Sequence, residues 1–268
     1  MNAIWLIPAG VIGAAVCAGL PRKIDITKYA IRTDKVKNMI RIAVLSDLHN
    51  EDYGENMEKL TVPLMNEHPD LILMPGDMAE ERHHQDNTLK MMRAVSHIPS
   101  FYSTGNHEEY RRDLPELKKQ IAECGVRILS GEAAVTEING TRLEICGIPC
   151  RRRESLFDAD EISSLFRTDS YRILLSHRPH WVTLYGNVNC DLVVSGHAHG
   201  GQWCIPGTHV GIKAPNQRLF SKYTCGIHDL KKGKLLISRG LVKDYHHIPR
   251  LYNNPEIVIL TLLPEEQK

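Results

Sequence analysis

Excess charge of either sign is missing from this sequence. Its 33 Lys and Arg nearly cancel 32 Asp and Glu, leaving a formal net charge of +1, which excludes a protein that grips a polyanion through bulk electrostatics. Aromatic side chains are scarce, with three Trp and four Phe in 268 residues, too few for an extended base-stacking track. Seven cysteines stand at 17, 124, 146, 150, 190, 204 and 225. Their odd number and wide spacing argue against a disulfide framework or a zinc-type pair, and suit free thiols in a reducing compartment. Repeats, low-complexity tracts and an interdomain linker are lacking too, which excludes a solenoid or a tandem array.

Long apolar runs are also rare, with one exception at the N-terminus. Ala3 to Leu20 (AIWLIPAGVIGAAVCAGL) carries no charged side chain and stops at Arg22-Lys23. At about 1.5 Å per residue this run spans roughly 27 Å, close to the thickness of a bilayer's hydrocarbon. Only the α-amino group precedes it, so the basic n-region of a cleaved signal peptide is missing. Residues 1–21 are therefore expected to form a single-pass membrane anchor, with a signal-like segment as the alternative, 22–39 a juxtamembrane segment, and 40–268 one folded domain. Arg22, Lys23, Lys28, Arg32, Lys35 and Lys37 follow the run. By the positive-inside rule they keep that domain on the cytoplasmic side.

From Arg41 onward, short apolar runs alternate with helical patterns. Ile42 to Leu45, Leu71 to Met74, Ser100 to Thr104, Ile173 to Leu175 and Asp191 to Val194 suit strands buried on both faces. Met57 to Glu67 and Asn87 to His97 have helical spacing, and Pro115 followed by Glu116 reads as a helix start. Beyond Gly201 the pattern turns strand-rich over Tyr223 to His228, Lys234 to Ser238 and Glu256 to Leu263. Such alternation predicts a layered α/β domain.

The polar residues that end these strands form a series. The first strand runs into Asp47-Leu48-His49, the second into Gly76-Asp77, and the third into Gly105-Asn106-His107-Glu108. Later strands run into His177 and into Gly196-His197-Ala198-His199-Gly200. Ligands of α/β sheets bind outside the carboxyl ends of the strands. Any one of these motifs alone is as readily a turn or a cap. Two imidazoles on one glycine-padded turn are harder to explain by packing, because glycine permits a close approach of backbone to ligand.

In this order the motifs resemble the calcineurin-like metallophosphoesterase superfamily, from about Arg41 to the C-terminus. More narrowly the chain is similar to the bacterial YkuE/YaeI-type phosphodiesterases, through Gly200-Gly201-Gln202, Ser238-Arg239-Gly240 and Asn254-Pro255-Glu256-Ile257. The resemblance implies a four-layer α/β/β/α sandwich of two mixed sheets flanked by helices, here preceded by the N-terminal transmembrane helix. It implies two divalent metal ions, the first held by Asp47, His49 and His199, the second by Asn106, His177 and His197, with Asp77 bridging them. A mixed nitrogen and oxygen donor set suits manganese, iron or zinc. Two such ions outweigh two carboxylates and one hydroxide, leaving a positive balance for an anionic ester.

The implied reaction is hydrolysis of a small or lipid-linked phosphoester, of phosphodiesterase type, by in-line attack of a metal-bridging hydroxide. His107 is implied to assist by protonating the leaving alkoxide, a task that suits histidine's titration range. Histidines 68, 83, 84, 97, 180, 209, 228, 246 and 247 fit no ligand pattern. Arg151-Arg152-Arg153 reads as a solvated basic turn that, with Arg178, is also the candidate for meeting a second phosphate. Cys204 reads as a small packed residue. Alternative readings are a metal-dependent nuclease, which the charge and aromatic content disfavour, and a non-catalytic scaffold, which the complete ligand set disfavours. A substrate at the bilayer surface matches the membrane contact expected of the N-terminal segment.

Overall fold

A computed structural model describes residues 14, 16–81, 84–245 and 248–265. Among them no helix is long and apolar enough to cross a membrane. The expected anchor over 1–21 lies largely outside the described residues, as do His83, His246 and His247.

Strands form where β-branched and aliphatic residues are sheltered on both faces, and helices where burial recurs on one side. In chain order the first elements are β1 (Asp25–Thr33), β2 (Ile40–Val44), α1 (Glu58–Asn66), β3 (Leu71–Met74), α2 (Asp86–Ala94), β4 (Ser100–Tyr102), α3 (Asn106–Glu109), α4 (Leu114–Glu123) and β5 (Arg127–Ile128). Then follow β6 (Glu132–Ile138), β7 (Thr141–Gly147), α5 (Ala159–Leu165), β8 (Tyr171–Leu175), α6 (Val182–Tyr185), β9 (Leu192–Ser195), β10 (Gly226–Asp229), β11 (Lys234–Ile237), β12 (Asp244–Tyr245), β13 (Ile248–Pro249) and β14 (Glu256–Pro264).

Two mixed six-stranded sheets result, in the orders β1-β14-β2-β3-β4-β5 and β10-β11-β9-β8-β7-β6. Between them lies one core, in which Ile42, Val44, Leu71 and Leu73 meet Ile145, Ile173, Leu175 and Val194. Period-two alternation sends the intervening residues outward. Ala43, Ile72 and Met74 pack under Leu60, Leu64, Met91, Met92 and Ile121 from α1, α2 and α4. On the far side Leu174, Val193 and Leu235 pack under Ile162, Leu184 and Tyr185 from α5 and α6. Helices, sheet, sheet and helices thus make four layers, each fully buried aliphatic side chain contributing about 1.5–3 kcal/mol.

Three departures from the sequence reading concern strands. Residues 25–33, within the segment expected to be juxtamembrane, form β1 and pair in parallel with β14 from Asp25↔Glu256 to Thr33↔Pro264. The hairpin of β6 and β7 leaves no clean pattern in the sequence, because its burial alternates irregularly and exposes Val135. The strand expected over Tyr223 to His228 begins at Gly226, because Tyr223 is held in a turn by Ser221 and Gln217.

Sheet direction positions the site. β2, β3 and β4 are mutually parallel, as are β7, β8, β9 and β11. Their carboxyl ends therefore deliver loops to one rim of the sandwich, where the two sheets face each other.

Candidate metal centre

Each strand that reaches this rim turns sharply, and the turns carry the polar residues. Asp47, His49, Asp77, His197 and His199 all have φ between 49° and 64°. A left-handed backbone costs a non-glycine residue about 1–3 kcal/mol and persists only where its surroundings impose it. Here they do. His197 N–H donates to both Asp47 oxygens at 2.9 and 3.1 Å, and His107 N–H donates to Asp77 Oδ1 at 2.8 Å. Close packing adds to this, since a Cβ on Gly105 would fall on the Asp77 carboxylate.

The site residues named from the sequence converge. Ligand atoms of Asp47, His49 and His199 form one group with all separations within 4.8 Å, and those of Asp77, His177 and His197 form another. Asp77 Oδ2 lies 2.8 Å from His177 Nε2, and Asp47 Oδ1 lies 3.5 Å from His199 Nε2. Asn106 opens α3 beside them, 8% exposed, and its Oδ1 is buried without a hydrogen-bond partner. The ring of His107 packs edge-on against that of His49 with centroids 4.6 Å apart. It is buried rather than set at an open mouth.

Outer hydrogen bonds aim the two rings at the centre. His177 Nδ1–H donates to the Pro75 carbonyl at 3.0 Å, which turns Nε2 toward the centre, 2.8 Å from Asp77 Oδ2. His197 Nε2–H donates to Asn216 Oδ1 at 2.9 Å, which leaves its Nδ1 lone pair facing the same way. Those two nitrogens are 3.1 Å apart. Two ring nitrogens and a carboxylate converging at this distance make a donor set for a cation, and the outer hydrogen bonds are of the kind that orient metal-binding imidazoles. The orphaned Asn106 Oδ1 supplies a further neutral oxygen. The donor set present therefore fits divalent metal ions.

Electrostatics follow burial. His197 and His199 are pushed well below the usual histidine range, by burial first and then by the neighbouring His177 and His49 respectively. They are neutral, as metal-binding imidazoles must be. Burial raises Asp47 despite His177. For Asp77 burial opposes ionisation, but His177 outweighs it and holds the carboxyl well below its ordinary value. Burial also opposes protonation of His107, yet its bond to Glu80 and the charges of Asp77, Glu80 and Glu108 raise it to about 9.

Several residues at the site were given no role from the sequence. Glu80 joins two rings, accepting from His107 Nδ1 at 2.6 Å through one oxygen and from His49 Nδ1 at 2.9 Å through the other. Glu108, wholly buried, accepts from the N–H groups of Asp77, Ala79 and Gly105, fastening the second strand end to the third. Arg250, also wholly buried, donates to the carbonyls of Val242, Arg239 and His199, and Asn253 donates to the His199 carbonyl at 2.7 Å. This C-terminal brace holds the turn that carries the two imidazoles.

Arg178, 6% exposed, donates to Asn216 Oδ1 at 2.6 Å and lies 3.3 Å from His197 Nε2. Its Nε–H also donates to Cys150 Sγ at 3.2 Å, so it lies buried beside the exposed Arg151-Arg152-Arg153 turn. Cys204 is buried, its thiol donating to the Gly200 carbonyl.

Comparison with known proteins agrees with this rim. The family model described as calcineurin-like phosphoesterase matches residues 40–201, from the start of β2 through the turn bearing His197 and His199. An Aquifex aeolicus protein described as an uncharacterized metallophosphoesterase is 31% identical over 255 residues, covering 88% of this chain and 91% of its own. The Bacillus subtilis uncharacterized metallophosphoesterase YkuE is 24% identical over 255 residues, covering 90% of this chain and 86% of its own. Among solved structures, the protein TT1561 of Thermus thermophilus superposes with a TM-score of 0.52 at 13% identity, over 75% of this chain and 89% of that one. That likeness concerns the fold alone. A family match that ends on the paired imidazoles, and a relative matched along nearly its whole length, lead to one statement: the chain belongs to the calcineurin-like phosphoesterase family, whose members are metal-dependent phosphoester hydrolases.

Proposed function

We propose that the protein is a dinuclear-metal-dependent hydrolase of phosphodiester type, acting on a small or lipid-linked phosphoester. The observation that carries this reading is the place of Asp77. Oδ1 accepts from the His107 backbone, and the carboxylate groups with His177 and His197 on one side and with His49 and His107 on the other, within 4.8 Å in each case, which links the two ligand sets. Asp47, His49 and His199 would hold one ion and Asn106, His177 and His197 the other, with Asp77 shared.

A pair of divalent ions supplies Lewis acidity toward phosphoryl oxygens and brings the pKa of a water near neutrality. The chain's own residues do the rest. Neutral His197 and His199 leave the donor set with little negative charge, which favours an anionic ester. His107, protonated up to about pH 9, provides the proton that a leaving alkoxide requires, and Glu80 fixes its ring by holding Nδ1–H. Arg178 presents a second positive charge behind His197, suited to a phosphoryl oxygen. The apolar run over 3–20 supports anchorage of this domain at a membrane, with the basic residues after it favouring the cytoplasmic face.

The test is metal analysis of the purified protein together with hydrolysis of bis-(p-nitrophenyl) phosphate and p-nitrophenyl phosphate after reconstitution with manganese, iron or zinc. Two ions per chain and a preference for the diester are expected. One ion per chain removes the dinuclear assignment, and a preference for the monoester removes the diester assignment.

A further inference from the structure

Beside the metal centre lies a cavity whose chemistry is unlike that of the centre itself. It has a volume of about 360 Å³, within the range that holds a small ligand. One wall is Gly201 to Trp203 and the other is Ile212 to Pro215, with Ile248 closing a third side. The surface these residues turn inward is almost wholly carbon.

Both walls run into the centre. The first begins at His199. The second continues into Asn216, which accepts the hydrogen bond from His197. A group held between the two ligand sets therefore has the cavity as its neighbour. Backbone hydrogen bonds fix the two walls to each other: Ile212 N–H donates to the Trp203 carbonyl at 2.7 Å and Lys213 N–H to that of Gly201 at 3.1 Å. Trp203 Nε1–H donates to the Pro249 carbonyl at 2.9 Å, and the Gln202 amide to that of Ile248 at 2.6 Å. The Lys213 ammonium is turned to the Gln217 carbonyl. Of the lining side chains, Trp203 and Ile248 are 43% and 48% exposed, so the apolar surface opens outward.

We infer that this groove receives the hydrocarbon chain of a lipid-linked phosphoester whose phosphoryl group lies at the metal centre. The inference rests on the hydrolase reading and adds the substrate class. Apolar walls favour a chain over a sugar or a base, because hydroxyls and ring nitrogens placed there lose their water without replacement. Each methylene that the groove buries tightens binding by up to about fourfold.

The test uses the metal-reconstituted protein with p-nitrophenyl methyl, butyl and octyl phosphates below their micellar concentrations. In parallel, methylphosphonate and octylphosphonate are titrated calorimetrically. Expected are a rise in kcat/KM of about tenfold or more from methyl to octyl, carried by KM, and an octylphosphonate affinity higher by a similar factor. Binding of octylphosphonate should have the more negative heat-capacity change. Ile212→Asp and, should that chain fold poorly, Trp203→Ala should each shrink the octyl-to-methyl ratio severalfold in both measurements.

Equal values for methyl and octyl would overturn the groove assignment while leaving the hydrolase reading standing. So would an octyl preference that both variants retain, or a nucleoside p-nitrophenyl phosphate cleaved better than the octyl ester. If no ester is hydrolysed the hydrolase reading falls, and the phosphonate titration decides the groove alone: preference for octyl supports it and its absence overturns it.

Discussion

Glu80 Oε1 accepts a hydrogen bond from His107 Nδ1 at 2.6 Å, across a separation of 27 residues in the chain. The contact fixes which nitrogen of His107 carries the outer proton and stabilises the charged ring. Glu80→Gln keeps the shape and removes the charge. It is expected to lower hydrolysis of poor leaving groups by about 10- to 100-fold, with a smaller loss on p-nitrophenyl esters, which depart without a proton.

The same contact makes a pH prediction. His107 is raised to about 9, so its protonated form is complete below that value and is lost as the pH rises through it. As the acid of the reaction, it gives a rate that falls on the alkaline side near pH 9. In Glu80→Gln this alkaline limb should move toward lower pH. A pH–rate profile with an unmoved limb in the variant assigns that limb to another group.

Metal content separates holding from catalysis. Asp77→Ala should lose bound metal, because the proposed centre shares that carboxylate between its two ions. His107→Ala should retain two ions per chain yet lose most turnover on alkyl leaving groups. Plasma emission analysis of the two purified variants checks both statements, and an Asp77→Ala chain with full metal content would remove the shared-ligand assignment.

Metal removal should also be visible in stability. His177 Nε2 and His197 Nδ1 converge at 3.1 Å beside the Asp77 carboxylate, a donor set that a bound divalent ion would occupy. At a metal concentration about 100 times the dissociation constant, binding to the native state adds about 2.7 kcal/mol. For a chain of this size that is a rise in Tm of roughly 5–10 °C. Scanning calorimetry of chelator-treated and reconstituted protein measures it.

Gly105 is a packing constraint with a functional consequence. The Cβ of Gly105→Ala would collide with the Asp77 carboxylate and approach the Asp77 amide within 2.4 Å of its nitrogen. The strand-end loops must then separate. A stability loss of about 2 kcal/mol or more is expected, together with weakened metal binding, read by denaturant unfolding and metal titration.

Legibility in the sequence followed the length scale of each interaction. Asp47, His49, Asp77, Asn106, His107, His177, His197 and His199 stood out because each follows an apolar run, and a run buried on both faces announces a strand end without knowledge of its neighbours. Glu80 gave no such sign. It lies three residues beyond Asp77 in a loop, and only the approach of His49 and His107 gives its carboxylate a role. Arg250 reads as an ordinary surface cation, yet the fold buries it wholly beneath the His199 turn, 51 residues away. Strand β1 was hidden for a related reason. An edge strand with half-exposed residues lacks a two-faced apolar run, and its identity comes from the ladder to β14.

By itself the sequence determined the layered α/β class and the chemical types gathered at the strand ends. Both are local consequences: burial periodicity follows from the backbone repeat, and imidazole or carboxylate chemistry travels with the residue. Tertiary structure alone decided that two sheets bring their carboxyl ends to one rim. It also imposed a left-handed backbone on five of the ligand candidates, stationed Glu80 between two rings, and left an apolar groove against His199. Those outcomes depend on contacts between segments far apart in the chain, where one element's geometry is fixed by the packing of another and no local pattern records it.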